Sequence, residues 1–382
     1  MDLEELVQQY LFATKIYACI VGIWPFMTQT QKNIRRTYVF SIVVTATVVQ
    51  VARVVVFFSI QNLIDQIPFL MVAVASIVKY SNYLFNQEKF KDLFNSMVKD
   101  WQAKKTQDEE QLMQKYANRS VFFISIYTLN AYFCTSVFFF LPVMPRLMDI
   151  LIPLNESRPR IQMYPAYYFI ENDDDYYYII MAYTIITLLL AMSIFIASDT
   201  ILVYAVQHIC GLLSLAGYRF KCCLDDLHTL KSNLKIDHVK MYKKVCYAIN
   251  THQRALEFLN EIENAYVMNL FIQVGVVVLS FTITLLKVAS ITWSMDTYPY
   301  YGYVIAQFIH IFFLTVQGQF VIDLHDSIYK KGYENYWYNG DVKTQALFIL
   351  IQRRNLTPPL LTAGGLIQLN LDSFAEIVAK NR

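Results

Sequence analysis

Residues 177–203 read YYIIMAYTIITLLLAMSIFIASDTILV, 27 positions with a single charge at Asp199. The hydrocarbon core of a bilayer is crossed by about 20 mostly apolar helical residues. Lipid offers exposed backbone no hydrogen-bond partner, so a run of this kind must be a helix that satisfies its own N–H and C=O groups. Working outward in both directions, the same rule selects Tyr38–Ile60, Ile67–Phe85, Ser120–Val143, Ala265–Leu286 and Tyr300–Ile322, and a seventh helix is expected from about Leu369. The whole chain agrees, being 56% hydrophobic and 16% charged over 382 residues, where soluble domains carry about 25% charge. That composition excludes an ordinary soluble enzyme and a disordered chain. A net charge of +2 leaves no basic face for nucleic acid. The expected fold is an all-α polytopic membrane protein with seven transmembrane helices.

Orientation follows from the cationic side chains, which accumulate on the cytoplasmic side. Segments 1–37, 86–119, 204–264 and 323–368 together hold 24 Lys and Arg, against 4 in segments 61–66, 144–176 and 287–299. The N-terminus is therefore expected in the cytoplasm, the reverse of a G-protein-coupled receptor. The first residues carry Asp2, Glu4 and Glu5 where a signal peptide needs positive charge. Leu6–Phe26 carries Gln8, Gln9 and Lys15 and reads as an interfacial or re-entrant helix. The organisation is then a cytoplasmic segment 1–37, helices one to four in 38–203, cytoplasmic helices in 204–264, helices five and six in 265–322, a cytoplasmic segment 323–368, and the start of helix seven in 369–382.

The water-facing segments have their own patterns. Phe90, Phe94, Met97 and Trp101 fall at helical spacing and predict an amphipathic helix. Four of the six His (His208, His228, His238, His252) and four of the six Cys (Cys210, Cys222, Cys223, Cys246) lie in 204–264. No CxxC or HxxxH pair is present, so packing rather than metal binding is expected. Asn155-Glu156-Ser157 lies on the outer side and is the expected glycan acceptor. The Asn118 and Asn355 sequons fall on the inner side. Tyr164, Tyr167, Tyr168, Tyr176, Tyr177 and Tyr178 gather where the outer loop meets the fourth span, as an interfacial belt or as a lid over a cavity.

Charges inside spans are costly and mark pairs or functional sites. Arg53 and Lys79 lie near span ends and can snorkel; Asp199 can pair with a basic residue or reach water. In the sixth span Tyr303, Gln307, His310, Leu314 and Gln317 share one helical face. That stripe should face protein or water, as interhelical hydrogen bonds or as the wall of a pocket or ion path.

Several stretches resemble insect odorant receptors. Gly22-Ile23-Trp24-Pro25 is similar to the Gly-x-Trp-Pro before that family's first span, and Leu154–Pro159 with Tyr164-Pro165-Ala166 to its second outer loop, especially of hymenopteran-type members. Gln207-His208, Cys210-Gly211-Leu212 and Gly217-Tyr218-Arg219 resemble the region after span four. Tyr333, Trp337-Tyr338, Leu361-Thr362-Ala363-Gly364, Leu371 and Phe374 resemble the C-terminal signature. The resemblance implies a plasma-membrane subunit of olfactory neuron dendrites. It would form an odorant-gated, non-selective cation channel as a hetero-tetramer with a shared co-receptor subunit, and no cofactor. It also implies an anchor domain between subunits, over Leu212–Tyr266 and Phe320–Gln352. Each last helix would line a central pore, here through Leu371, Phe374 and Val378. A gustatory receptor shares the fold but differs from Thr362-Ala363-Gly364. A transporter would show repeated halves, and none is evident.

A volatile ligand offers few hydrogen bonds and must bind by burying apolar area, at about 25 cal/mol per Å². Helical spacing and outer-half position select Phe69, Val72 and Ala73 of span two and Asn130, Cys134 and Phe138 of span three. They also select Tyr178, Met181 and Thr184 of span four, and Tyr303 and Gln307 of span six. From Leu369 to Arg382 there are 14 residues, about 21 Å of helix, against a core of about 30 Å. The expectation is a shortened pore helix, from a truncated transcript or from a subunit that cannot complete a pore alone.

Overall fold

The computed structural model describes residues 1–153, 156–229, 238–290, 298–333 and 337–380. The chain opens with two short helices, α1 (Leu3–Tyr10) and α2 (Phe12–Ile20), followed by α3 (Gln29–Val56), α4 (Ile60–Phe85), α5 (Gln87–Gln102), α6 (Gln107–Phe140) and α7 (Met144–Leu151). Two very long helices come next, α8 (Tyr177–Thr229) and α9 (His238–Ser290), and then α10 (Tyr298–Tyr333), α11 (Val342–Asn355) and α12 (Leu371–Lys380). A two-stranded hairpin, β1 (Thr362–Ala363) and β2 (Ile367–Gln368), precedes α12.

Six of these helices (α3, α4, α6, α8, α9 and α10) are long and apolar enough to cross a membrane. The first begins at Gln29 rather than Tyr38 and stops at Val56; Ile60 already belongs to α4. Helices α8 and α9 have 53 residues each, about 80 Å at 1.5 Å per residue, so they run far beyond any bilayer core. The helix expected from about Leu369 is α12 and starts at Leu371, because residues 367–368 are spent in the hairpin.

α8 is the hub, packing on α6, α9, α10, α4 and α2. The reason is compositional. A helix apolar on every side must be surrounded, and Ile194, Ala197, Ile201, Tyr204, Ala205, Val206 and Leu213 are all buried. The N-terminal pair is held in the same core through Leu6, Val7, Tyr10, Leu11 and Ala18, while Phe12, Ile16 and Ile20 stay exposed. Gly22-Ile23-Trp24-Pro25 turns the chain into α3, and Trp24 packs on Phe94 with ring centroids 5.1 Å apart. The amphipathic helix is α5, with Phe90, Phe94 and Met97 buried as their spacing predicts.

The end of the bundle rich in cationic residues is fastened by polar clusters. Asp100 accepts from His208 Nε2 at 3.1 Å and from Arg254 at 2.8 and 3.1 Å. Burial opposes ionisation of Asp100, but the bonds from His208 and Arg254 outweigh it and hold the carboxyl below the usual carboxylate range. Arg219 pairs with Glu109 at 2.6 Å, and His252 stacks on His325 at 5.6 Å. The Leu361–Gly365 stretch clamps α9: Thr362 donates to Glu263 through its amide and hydroxyl, at 3.2 and 2.9 Å. Gly364 N–H donates to the Val267 carbonyl at 3.1 Å. Gly364 has φ +67°, and a Cβ there would sit 2.6 Å from Phe271 Cδ2, so only glycine fits.

Candidate functional site

A cavity of about 190 Å³ opens between α3, α4, α6, α8, α9 and α10. An engineered apolar cavity of about 150 Å³ holds benzene, so a ring-sized molecule fits. Its walls are Val43, Ala46, Phe69, Val72, Ala73, Ala131, Phe138, Leu188, Ala191, Met192, Phe195, Val276 and Val277, with a few polar groups among them. Residues 163–164 of the segment before α8 line one end. Tyr164 lies 6.1 Å from Phe69 between ring centroids. The segment is pinned from below: Gln66 Nε2 donates to the Pro165 carbonyl at 3.0 Å, and Tyr167 N–H to the Val49 carbonyl at 3.0 Å.

The other end rests on charge. Lys79 and Asp199, each with only 3% of the side chain exposed, form an ion pair between α4 and α8. Tyr127 of α6 donates its hydroxyl to the second carboxylate oxygen. His310 Nδ1 of α10 lies 3.2 Å from that hydroxyl, and Lys79 Nζ lies 5.1 Å from the Phe195 ring centre. Four helices are thus tied at one level directly beneath an apolar chamber, and Tyr127, Phe195 and His310 belong to both. Chemically the arrangement can hold a small apolar molecule against a polar floor.

The family profile described as "7tm Odorant receptor" matches residues 59–380. The chain belongs to the odorant receptor family. Among solved structures, the fold is similar to the insect olfactory receptor OR5 from Machilis hrabei in complex with eugenol. That match has a TM-score of 0.80 and 15% identity over 100% of this chain and 97% of that one. A second structure of the same Machilis hrabei receptor matches with a TM-score of 0.74 and 14% identity, over 98% and 96% of the two chains. No curated protein matches in sequence.

In this odorant receptor, eight of the residues selected from sequence share the cavity wall: Phe69, Val72, Ala73, Asn130, Cys134, Phe138, Tyr303 and Gln307. The three from span four do not. Tyr178 is exposed at the start of α8, and Met181 packs on the Met163–Tyr164–Ala166 cluster. Thr184 donates to the Met181 carbonyl at 2.9 Å and sits 3.7 Å from Met163 Sδ. Residues 163–166 fill the level they occupy, and α8 meets the cavity farther along, through Thr187, Leu188, Ala191, Met192 and Phe195. Sequence reasoning did not select Gln50, Tyr127, Met163, Ser280 or His310 for the pocket. His310 stood on the recognised stripe of α10; the others had no local signal. The lower part of that stripe is interhelical bonding, with Gln207 Nε2 donating to Gln317 Oε1 at 2.9 Å.

Of the expected pore residues, Phe374 packs inward on Phe308 and Phe312 of α10, at 5.2 and 5.4 Å between ring centroids. Leu371 is exposed, and Val378 is half-buried one heptad along. The glycan acceptor Asn155 lies outside the described residues.

Proposed function

We propose that this chain is the ligand-binding subunit of an odorant-gated, non-selective cation channel. It acts with a shared co-receptor subunit in a hetero-tetramer, in the plasma membrane of olfactory neuron dendrites, with its N-terminus in the cytoplasm. The observation that carries the reading is the mostly apolar chamber that six helices build over a buried ion pair. A volatile ligand gains affinity chiefly by leaving water, and such a chamber supplies that with few polar groups to fix orientation. The similarity to a receptor solved in complex with eugenol supports a small organic ligand here too.

Gating then follows from linkage. A ligand shifts a closed–open equilibrium only by binding the two states differently. Two of the helices that wall the chamber, α4 and α8, are joined by Lys79–Asp199, so a change in occupancy bears on packing that must differ between states. Helix α12, packed on α10 through Phe374, carries that change toward neighbouring subunits through its exposed face, where Leu371 lies. The test is current recording from cells that express this chain with the co-receptor, against an odorant panel. Odorant-dependent cation currents that need both chains are expected. A chain that supports only G-protein signalling, with no ligand-dependent conductance, would overturn the reading.

A further inference from the structure

We infer that the chamber selects ligands that donate a hydrogen bond, small alcohols or phenols, over ethers, carbonyl compounds and hydrocarbons of the same size. The inference rests on the reading that the ligand occupies this chamber, and it deepens it by naming the ligand's chemistry.

Two chains of hydrogen-bonded side chains fix where the protons lie. In the first, the Asp199 carboxylate can only accept, so Lys79 and Tyr127 both donate to it. With its one proton committed, the Tyr127 oxygen accepts from His310 Nδ1 at 3.2 Å. A neutral imidazole that donates at Nδ1 has a bare acceptor at Nε2. In the second chain the Pro68 carbonyl can only accept, so Tyr303 donates to it at 3.1 Å. Ser280, 3.2 Å from the Tyr303 oxygen, therefore donates its proton there. The Ser280 oxygen then accepts from Gln307 Nε2 at 2.6 Å, which fixes the Gln307 amide with Oε1 turned away from the bond.

Both chains end in acceptors. His310 Nε2 and Gln307 Oε1 are buried, belong to residues on the cavity wall one helical turn apart, and have no hydrogen-bond partner among the described residues. Gln307 is 6% exposed. At the far end stand Gln50 Oε1, a further acceptor without a partner there, and the Tyr164 hydroxyl, also without one; the half-buried Asn130, whose Oδ1 accepts from Cys134 Sγ at 3.7 Å, adds amide N–H donors to the side wall rather than the floor. A floor that presents two acceptors rewards a donor. It penalises an ether or carbonyl oxygen, which would lose its water and meet lone pairs instead.

The probes are two sets matched in size: benzyl alcohol, methoxybenzene and ethylbenzene; and 1-hexanol, pentyl methyl ether and heptane. Apparent Kd is read from ligand-induced stabilisation of the whole chain in lipid nanodiscs. In any set that binds, the alcohol is expected to bind at least about tenfold tighter than its ether and hydrocarbon, about 1.4 kcal/mol. In a His310→Phe, Gln307→Met variant the members should converge to within about threefold, as the area term alone would give, with the hydrocarbon's affinity kept. An ether or hydrocarbon that binds the wild-type chain as tightly as the alcohol overturns the inference and leaves the chamber reading standing. That comparison needs no variant, so it decides even if the substitutions do not fold. Binding by no member of either set removes the chamber reading itself, and the inference with it.

Discussion

Replacing Lys79 by Met is expected to destabilise the chain far more than replacing Lys79 and Asp199 together. Both side chains are 3% exposed, so neither charge can reach water. Removing one partner of such a pair costs about 3–5 kcal/mol, because the remaining ion stays buried without compensation. Tyr127 still donates to Asp199, which places Lys79→Met toward the lower end. Asp199→Asn, which strands the ammonium, stands toward the upper end. Replacing both ions by groups of similar volume costs little or even stabilises. The double variant Lys79→Met, Asp199→Asn should therefore lie within about 2 kcal/mol of wild type, the new amide still accepting from Tyr127 but leaving an N–H unpaired, with a coupling energy of several kcal/mol. At about 2.1 cal/mol/K per residue, a 382-residue chain has an unfolding entropy near 0.8 kcal/mol/K, so each single change lowers the melting point by roughly 4–6 °C. Thermal unfolding of the purified chain in detergent, read by tryptophan fluorescence for all four members of the cycle, gives these values. Single variants that each lose less than about 1 °C, or a double variant that shows the simple sum of both losses, would refute the reasoning.

Three further outcomes follow from the same structure. The Asp100 carboxyl is held below its ordinary value, so its contribution is complete above about pH 3.9 and fades as pH falls through the lower folded value. The melting point of wild type should thus drop more steeply below pH 4 than that of Asp100→Asn, which starts lower at neutral pH. Gly364 and Gly365 both have left-handed backbones, at φ +67° and +70°, but only Gly364 has a neighbour where a Cβ would go. Gly365→Ala should cost about 1 kcal/mol for the backbone alone, and Gly364→Ala distinctly more; equal losses by thermal unfolding would show that Phe271 gives way. An epitope at the N-terminus should bind antibody only after permeabilisation, and staining of intact cells would reverse the threading.

Much of the membrane architecture was legible because its cause is local. A run such as residues 177–203 has one physical solution in lipid. On α10 the spacing of Tyr303, Gln307 and His310 was enough to find a wall of the chamber, since polar residues on one face of a spanning helix must turn inward. α8 offered no such stripe. It is apolar all round, so its sequence shows neither which face meets the chamber nor at what depth. Tyr178, Met181 and Thr184 stand beyond the end of the chamber because residues 163–167 fold into that end of the bundle, held by Gln66 and Val49 about 100 residues away. Lys79 looked free to snorkel for the same reason: Asp199 is its neighbour only in three dimensions, 120 residues along the chain.

The central claim is that ligand occupies the chamber and that occupancy opens the channel. Ala191 lines the chamber from the first third of α8, and Ala191→Phe places a ring in that space without adding a charge or removing a hydrogen bond. In cells co-expressing the co-receptor, odorants that open the wild-type channel should give no current with Ala191→Phe, at unchanged surface abundance. A response profile that survives with the chamber filled would contradict the account.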